Sequence, residues 1–175
     1  MNNYDYRVNL VDDYLKKLNL SNEIKKYYSG RNILVTGGAG AIGSNLVTTL
    51  SKLVGNDGMI IVLDNLSAIK GDEPIDLPPL SNMMFVNGDI RNDIDLKRVF
   101  REKPTIVYHL AAFFANQNSV DYPETSADVD IHGMIKLLDL AQFTGVDKFV
   151  YASSGCAIYG SYGEMPLKED FISLH

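Results

Sequence analysis

Gly37, Gly40 and Gly43 recur at every third position of Thr36-Gly37-Gly38-Ala39-Gly40-Ala41-Ile42-Gly43. Glycines so spaced let the backbone turn tightly, approach a pyrophosphate with no Cβ in the way, and pack the next helix close to its strand. The start of that helix, at Ala41, Ile42 and Gly43, adds unpaired amides and a partial positive charge, which suit an anion. Asp64 ends a second apolar run 21 residues after Gly43. A carboxylate at that distance accepts hydrogen bonds from the hydroxyls of an adenosine ribose. No Arg stands beside it, and its charge would repel a 2′-phosphate, so the implied cofactor is NAD and not NADP. Two other reactive side chains carry open alternatives. His109, within a strand, is either a catalyst or a packed structural imidazole. Cys156 is either a nucleophile or an inert thiol, with no cationic or histidine neighbour in sequence to form the thiolate.

These residues need a sheet to hold them, and the hydrophobic pattern supplies one. Ile33-Leu34-Val35 and Met59-Ile60-Ile61-Val62-Leu63 are continuous apolar runs, as in parallel strands covered on both faces. Between them Leu46, Val47, Leu50 and Leu53 recur at helical spacing, and Gly55-Asn56-Asp57-Gly58 turns the chain back. Residues 65–80, with Gly71, Pro74, Pro78 and Pro79, read as a loop that either folds over an adenosine or is plain surface. Met83-Met84-Phe85-Val86 is a third strand, residues 95–102 a helix ended by Pro104, and residues 105–112 a fourth strand with its exit. Ile131, Ile135, Leu138 and Ala141 or Leu140 are the expected buried stripe of a central helix, which Gly145 closes before a fifth strand at 148–152. The fold class is therefore α/β, a Rossmann-type doubly wound parallel sheet over residues 31–175, preceded by a helical extension over residues 1–30. In that extension Val11, Leu15 and Leu18 share a helical face, and Ser21 caps a second short helix. It serves as an oligomer contact, as in a homodimer, as a cover over the cofactor edge, or as a helix packed on the flank of the domain.

Bulk composition agrees. With 46% apolar and 22% charged residues, 175 residues suffice for one domain with a real core. A net charge of −6 argues against nucleic acid or an anionic membrane as partner. A single cysteine, no membrane-length apolar run and a polar N-terminus make the cytoplasm the expected compartment.

The Gly-x-x-Gly-x-x-Gly spacing after Thr36, together with Asp64-Asn65-Leu66-Ser67, resembles the extended short-chain dehydrogenases/reductases, the nucleotide-sugar epimerases and dehydratases. The resemblance implies NAD as cofactor and a nucleotide sugar as substrate, with Asn65 beside the ribose acid. It gives Asp89 the adenine amino group and Ile90 a packing contact on the ring. Leu110, Ala111 and Ala112 match the His-Leu-Ala-Ala segment that lines the path of the pyrophosphate and nicotinamide ribose. Val129-Asp130-Ile131-His132-Gly133 resembles Val-Asn-Val-x-Gly, whose Asn ties the central helix to active-site backbone. Asp130 lacks the amide donors, so one bond must be replaced, or else this is an ordinary solvated residue. Ser153-Ser154-Gly155-Cys156-Ala157-Ile158-Tyr159-Gly160 resembles the segment whose hydroxyl holds the sugar being oxidised. Strand register favours Ser154, with Ser153 next; counting back from Tyr159 would select Gly155. The family's catalytic Tyr-x-x-x-Lys does not occur in these residues. The expectation is the NAD-binding portion of an epimerase, inactive by itself, with the C-terminal substrate domain missing. The alternatives are a non-catalytic NAD-binding or regulatory module, or a dehydratase or reductase.

Overall fold

Ile33, Leu34 and Val35 are fully buried because their strand is the middle one of five. The computed structural model describes residues 3–68, 75, 77–114 and 116–154. Its strands are β1 (Asn32–Thr36), β2 (Met59–Asp64), β3 (Met83–Asn87), β4 (Ile106–His109) and β5 (Lys148–Tyr151). All pair in parallel, in the order β3-β2-β1-β4-β5. Helices lie in three of the crossovers: α3 (Ala41–Val54) between β1 and β2, α4 (Asp93–Phe100) between β3 and β4. α5 (Asn116–Asp121), α6 (Pro123–Ala127), a π-helical segment (Asp128–Gly133) and α7 (Met134–Thr144) lie between β4 and β5. Strand order reverses between β1 and β4, which opens a crevice at their carboxyl ends, the usual ligand site of such sheets.

Alternate residues of β1 serve opposite faces. Ile33 and Val35 pack with Val47, Leu50 and Val54 of α3, while Leu34 packs with Leu96, Val99 and Phe100 of α4 and Leu137 and Ala141 of α7. Each large apolar side chain among them contributes about 1.5–3 kcal/mol on burial, so the sheet is the rigid part of the molecule.

Some boundaries and faces differ from the sequence expectation. α4 begins at Asp93 because Asn92 caps it, its side chain accepting from the amides of Ile94 and Asp95. The buried stripe of the central helix is Gly133, Leu137 and Ala141; Ile131, Ile135 and Leu138 face outward. Both stripes are apolar at helical period, and the period alone does not say which one meets the sheet. Gly133 decides it, since a Cβ there would lie 2.8 Å from the side chain of Ile90.

The extension forms α1 (Asn3–Leu18) and α2 (Asn22–Tyr28), the latter capped by Ser21 as expected. Of its three readings, packing on the domain's flank is what the contacts support. Val11 is buried, Lys52 Nζ of α3 reaches Asp12 at 3.1 Å, and Arg7 Nη1 donates to Ser44 Oγ at 3.1 Å. The hydroxyls of Tyr28 and Tyr108 meet at 2.8 Å, which joins α2 to β4. Among the described residues no helix is long and apolar enough to cross a membrane.

Candidate functional site

The corner after β1 is as tight as its glycines allow. Gly37, at φ +71°, lies against the exit of β4, where a Cβ would stand 2.6 Å from the amide nitrogen of Ala111. A Cβ on Gly43 would stand 2.1 Å from the carbonyl oxygen of Gly37, which folds the start of α3 back onto the turn. Gly40 is the N-cap of α3 and brings no side-chain cap to it. The first amides of the helix, around the exposed Ala41 and Ile42, therefore face outward at the positive end of a 14-residue helix. This is a cradle for an anionic group that approaches the main chain closely.

Asp64 is brought to the same corner. Its Oδ2 accepts from the amide of Ala39 at 2.9 Å and its Oδ1 from the amide of Leu66 at 2.8 Å. Leu66 holds φ +59°, the left-handed region that non-glycine residues avoid, and its bond to Asp64 holds it there. A carboxylate offers about four acceptor sites, so two remain for a diol. Ala39 and Leu66 leave no mark in the sequence because they act through backbone amides, which no residue type signals.

Asn65 turns towards β3, donating from Nδ2 to Asp89 Oδ2 at 2.9 Å. Asp89 also meets Arg91 through Nε at 2.9 Å and Nη2 at 2.8 Å. The hydrogen bond from that guanidinium is the chief reason the Asp89 carboxyl lies at about 2, below the usual carboxylate range, although partial burial opposes it. Ile90 departs from expectation. Only 4% exposed, it packs in the core beside Gly133, so its side chain is not presented to a bound ring. Ile90 lies in the turn after β3, closed by the amide of Asn92 on the carbonyl of Asp89 at 3.0 Å, and that turn directs its side chain onto Gly133.

Leu110, Ala111 and Ala112 leave β4 directly beneath the glycine corner, half-buried except for the exposed Ala112. The amide of Leu110 donates to the carbonyl of Thr36 at 3.0 Å, and the amide of Ala111 reaches Thr36 Oγ1 at 3.4 Å. Thr36 Oγ1 also lies 2.7 Å from His109 Nδ1. His109 is 2% exposed and stacked against Tyr151, which fits the structural alternative. Asp130, in the π-helical segment, accepts from the amide of Phe113 at 2.8 Å and from Ser126 Oγ at 3.0 Å. It is thus no free surface residue: the backbone tie from the helix to the β4 exit is kept, and Ser126 supplies a donor to the carboxylate.

Ser153 and Ser154 are exposed and follow the carboxyl end of β5, the strand next to β4. Gly155, Cys156 and Tyr159 lie outside the described residues. No cluster of metal-ligating side chains occurs among the described residues.

A reversing parallel sheet, a glycine corner with uncapped helix amides, and a carboxylate bonded into that corner define a dinucleotide-binding domain of the doubly wound class. The model of the NAD dependent epimerase/dehydratase family matches residues 33–174, and the chain belongs to that family. The UDP-glucose 4-epimerase of Mycolicibacterium smegmatis is 37% identical over 138 residues, 78% of this chain and 43% of that protein. Among solved structures, an epimerase of the methanogen Methanothermobacter thermautotrophicus superposes with TM-score 0.77 at 48% identity, over 87% of this chain and 44% of that one. The UDP-glucose 4-epimerase of Thermus thermophilus, solved in complex with NAD, superposes with TM-score 0.63 at 38% identity over 79% and 42%. The chain spans less than half the length of these relatives.

Proposed function

We propose that this chain is the NAD-binding portion of a nucleotide-sugar epimerase. The observation that carries the reading is the 2.9 Å bond from the Ala39 amide to Asp64 Oδ2, which brings this carboxylate into the glycine corner and supports its reading as the ribose acceptor. The residues present fit the cofactor: Gly37 and Gly43 leave the space, and the amides at Gly40, Ala41 and Ile42 meet the diphosphate. Asp64 takes the adenosine ribose hydroxyls, with Asn65 beside it, and Asp89 takes the adenine amino group. The backbone of Leu110, Ala111 and Ala112 borders the route towards the nicotinamide ribose.

NAD, when bound, supplies a ring that accepts a hydride from a sugar carbon and returns it to the opposite face. For that exchange the protein must hold the sugar hydroxyl and take its proton. Ser154, with Ser153 next, offers the hydroxyl contact. A phenol with a Lys four residues later would take the proton, its pKa lowered by the ammonium. None of the ten tyrosines in this sequence has Lys at that spacing. A polypeptide of these 175 residues therefore binds NAD without turnover. Epimerisation is favoured over dehydration because Gly155 and Cys156 stand where the 4,6-dehydratases carry an acid-base pair of Asp and Glu.

Calorimetric titration tests the binding claim. The folded chain should saturate with NAD, and Asp64→Ala should weaken binding about tenfold or more, since a charged hydrogen-bond acceptor contributes about 1.5–3 kcal/mol. No saturable binding by a chain shown to be folded overturns the reading, and turnover of a UDP-sugar by these residues alone overturns the claim of inactivity.

A further inference from the structure

Asp89 carries four hydrogen bonds, about as many as a carboxylate takes. Three come from Arg91: its backbone amide and Nε on Oδ1, both at 2.9 Å, and Nη2 on Oδ2 at 2.8 Å. The fourth, from Asn65 Nδ2 to Oδ2 at 2.9 Å, is of a different kind. Asn65 is an exposed residue on the loop after β2, whereas Arg91 is fastened from two sides. Its Nη1 donates to Asp128 Oδ2 at 3.2 Å, and its carbonyl accepts from Lys136 Nζ at 2.8 Å, which also reaches Asp93 at 2.9 Å. Ile90, packed beside Gly133, locks the same loop to the π-helical segment from beneath.

A guanidinium fork on a carboxylate fixes its plane as well as its charge. Asp89 thus presents a set direction to solvent and has one donor that an incoming group can replace. We propose that Arg91 is a specificity-determining positioning residue: it orients Asp89 as a fixed acceptor, so that a base carrying an amino group displaces Asn65 from Oδ2 while a base carrying an oxo group is refused. The inference rests on the NAD-binding reading above. The depressed Asp89 pKa agrees with it, because a carboxyl that stays ionised has no proton to offer an oxo group. The same fork joins the end of β3 through Asp128 to the segment whose Asp130 holds the amide of Phe113, so the adenine side and the β4 exit share one support.

The test compares NAD with nicotinamide hypoxanthine dinucleotide, which has an oxo group in place of the adenine amino group, by titration calorimetry on the 175-residue chain. The wild type should prefer NAD by about tenfold or more, the equivalent of one charged hydrogen bond. Arg91→Met should lose most of that preference, weakening NAD while changing the affinity for the analogue by less than about twofold. Asp128→Asn, which keeps the fork but takes the charge from its outer anchor, should lose part of the preference. Equal weakening for both dinucleotides in a folded Arg91→Met chain overturns the proposal, because a merely structural residue moves both alike. Should Arg91→Met not fold, Arg91→Lys and Asp128→Asn decide, and an unchanged preference in both overturns it. Wild type that binds both dinucleotides equally overturns this inference alone; wild type that binds neither overturns the NAD reading and this with it.

Discussion

His109 shows how far a residue's type misleads without its surroundings. At 2% exposure beside Thr36, its imidazole is held by burial at about 4, below its ordinary 6.5, with the charge of Asp130 only partly opposing. The folded protein therefore keeps it neutral where the unfolded chain would charge it. Its contribution is complete above the unfolded value of 6.5 and is lost as pH falls through 4, a total of about 3 kcal/mol. Urea denaturation at several pH values should show His109→Phe losing less stability than wild type across that window; parallel pH profiles for the two would remove His109 as the proton acceptor. At this scale the sequence announces what spacing constrains and is silent on what orientation decides. Asp64 was legible because a strand of known length must end where the glycine corner is. Ile90 and Arg91 were not, since a neighbour's burial and a fork two residues along a loop leave no periodic trace.

Elements were legible where the pattern had a single solution. A fully apolar run such as Ile60-Ile61-Val62 has no polar face to offer solvent, so it had to become a central strand. The central helix had two apolar stripes, and its sheet-facing side was chosen by tertiary fit at Gly133, invisible from period alone. The strand-to-helix junction after β1 is the most exacting element. A Cβ on Gly43 would meet backbone on two sides, the Gly37 carbonyl at 2.1 Å and Gly38 Cα at 2.7 Å, and neither can rotate away. Gly43→Ala should cost about 2–3 kcal/mol, lowering Tm by about 5–10 °C, and should abolish NAD binding. Gly145→Ala is the control: nothing lies within 4 Å and its backbone is in the left-handed region that side chains can enter, so only the strain of φ +76° applies, about 1–2 kcal/mol with NAD binding kept. Equal Tm losses, or NAD binding by a folded Gly43→Ala chain, would contradict the close-packed corner.

The whole molecule buries one face of α7 and exposes the other. Ile131, Ile135 and Leu138 are 56%, 50% and 38% exposed along a single stripe, and Phe143 on the same helix is 88% exposed. Beside them β5 is an outer strand of the described sheet, with Val150 and Tyr151 also exposed. A net charge of −6 raises the repulsion between copies, whereas the stripe of Ile131, Ile135 and Leu138 is itself apolar. A twofold contact between like stripes uses the same patch on both copies, so each contact occurs twice, the economical form of self-association. This face, and not the N-terminal extension, is where contact between copies of the 175-residue chain is expected. Sedimentation velocity should show concentration-dependent association of the 175-residue chain, and Ile135→Glu with Leu138→Glu should make it monomeric. Because both side chains already face outward, the double variant should keep the wild-type Tm within about 2 °C, as surface changes usually cost under about 0.5 kcal/mol. Association that persists unchanged in a folded double variant would move the contact elsewhere, and β5, the outer strand of the described sheet, would then be the surface to substitute next.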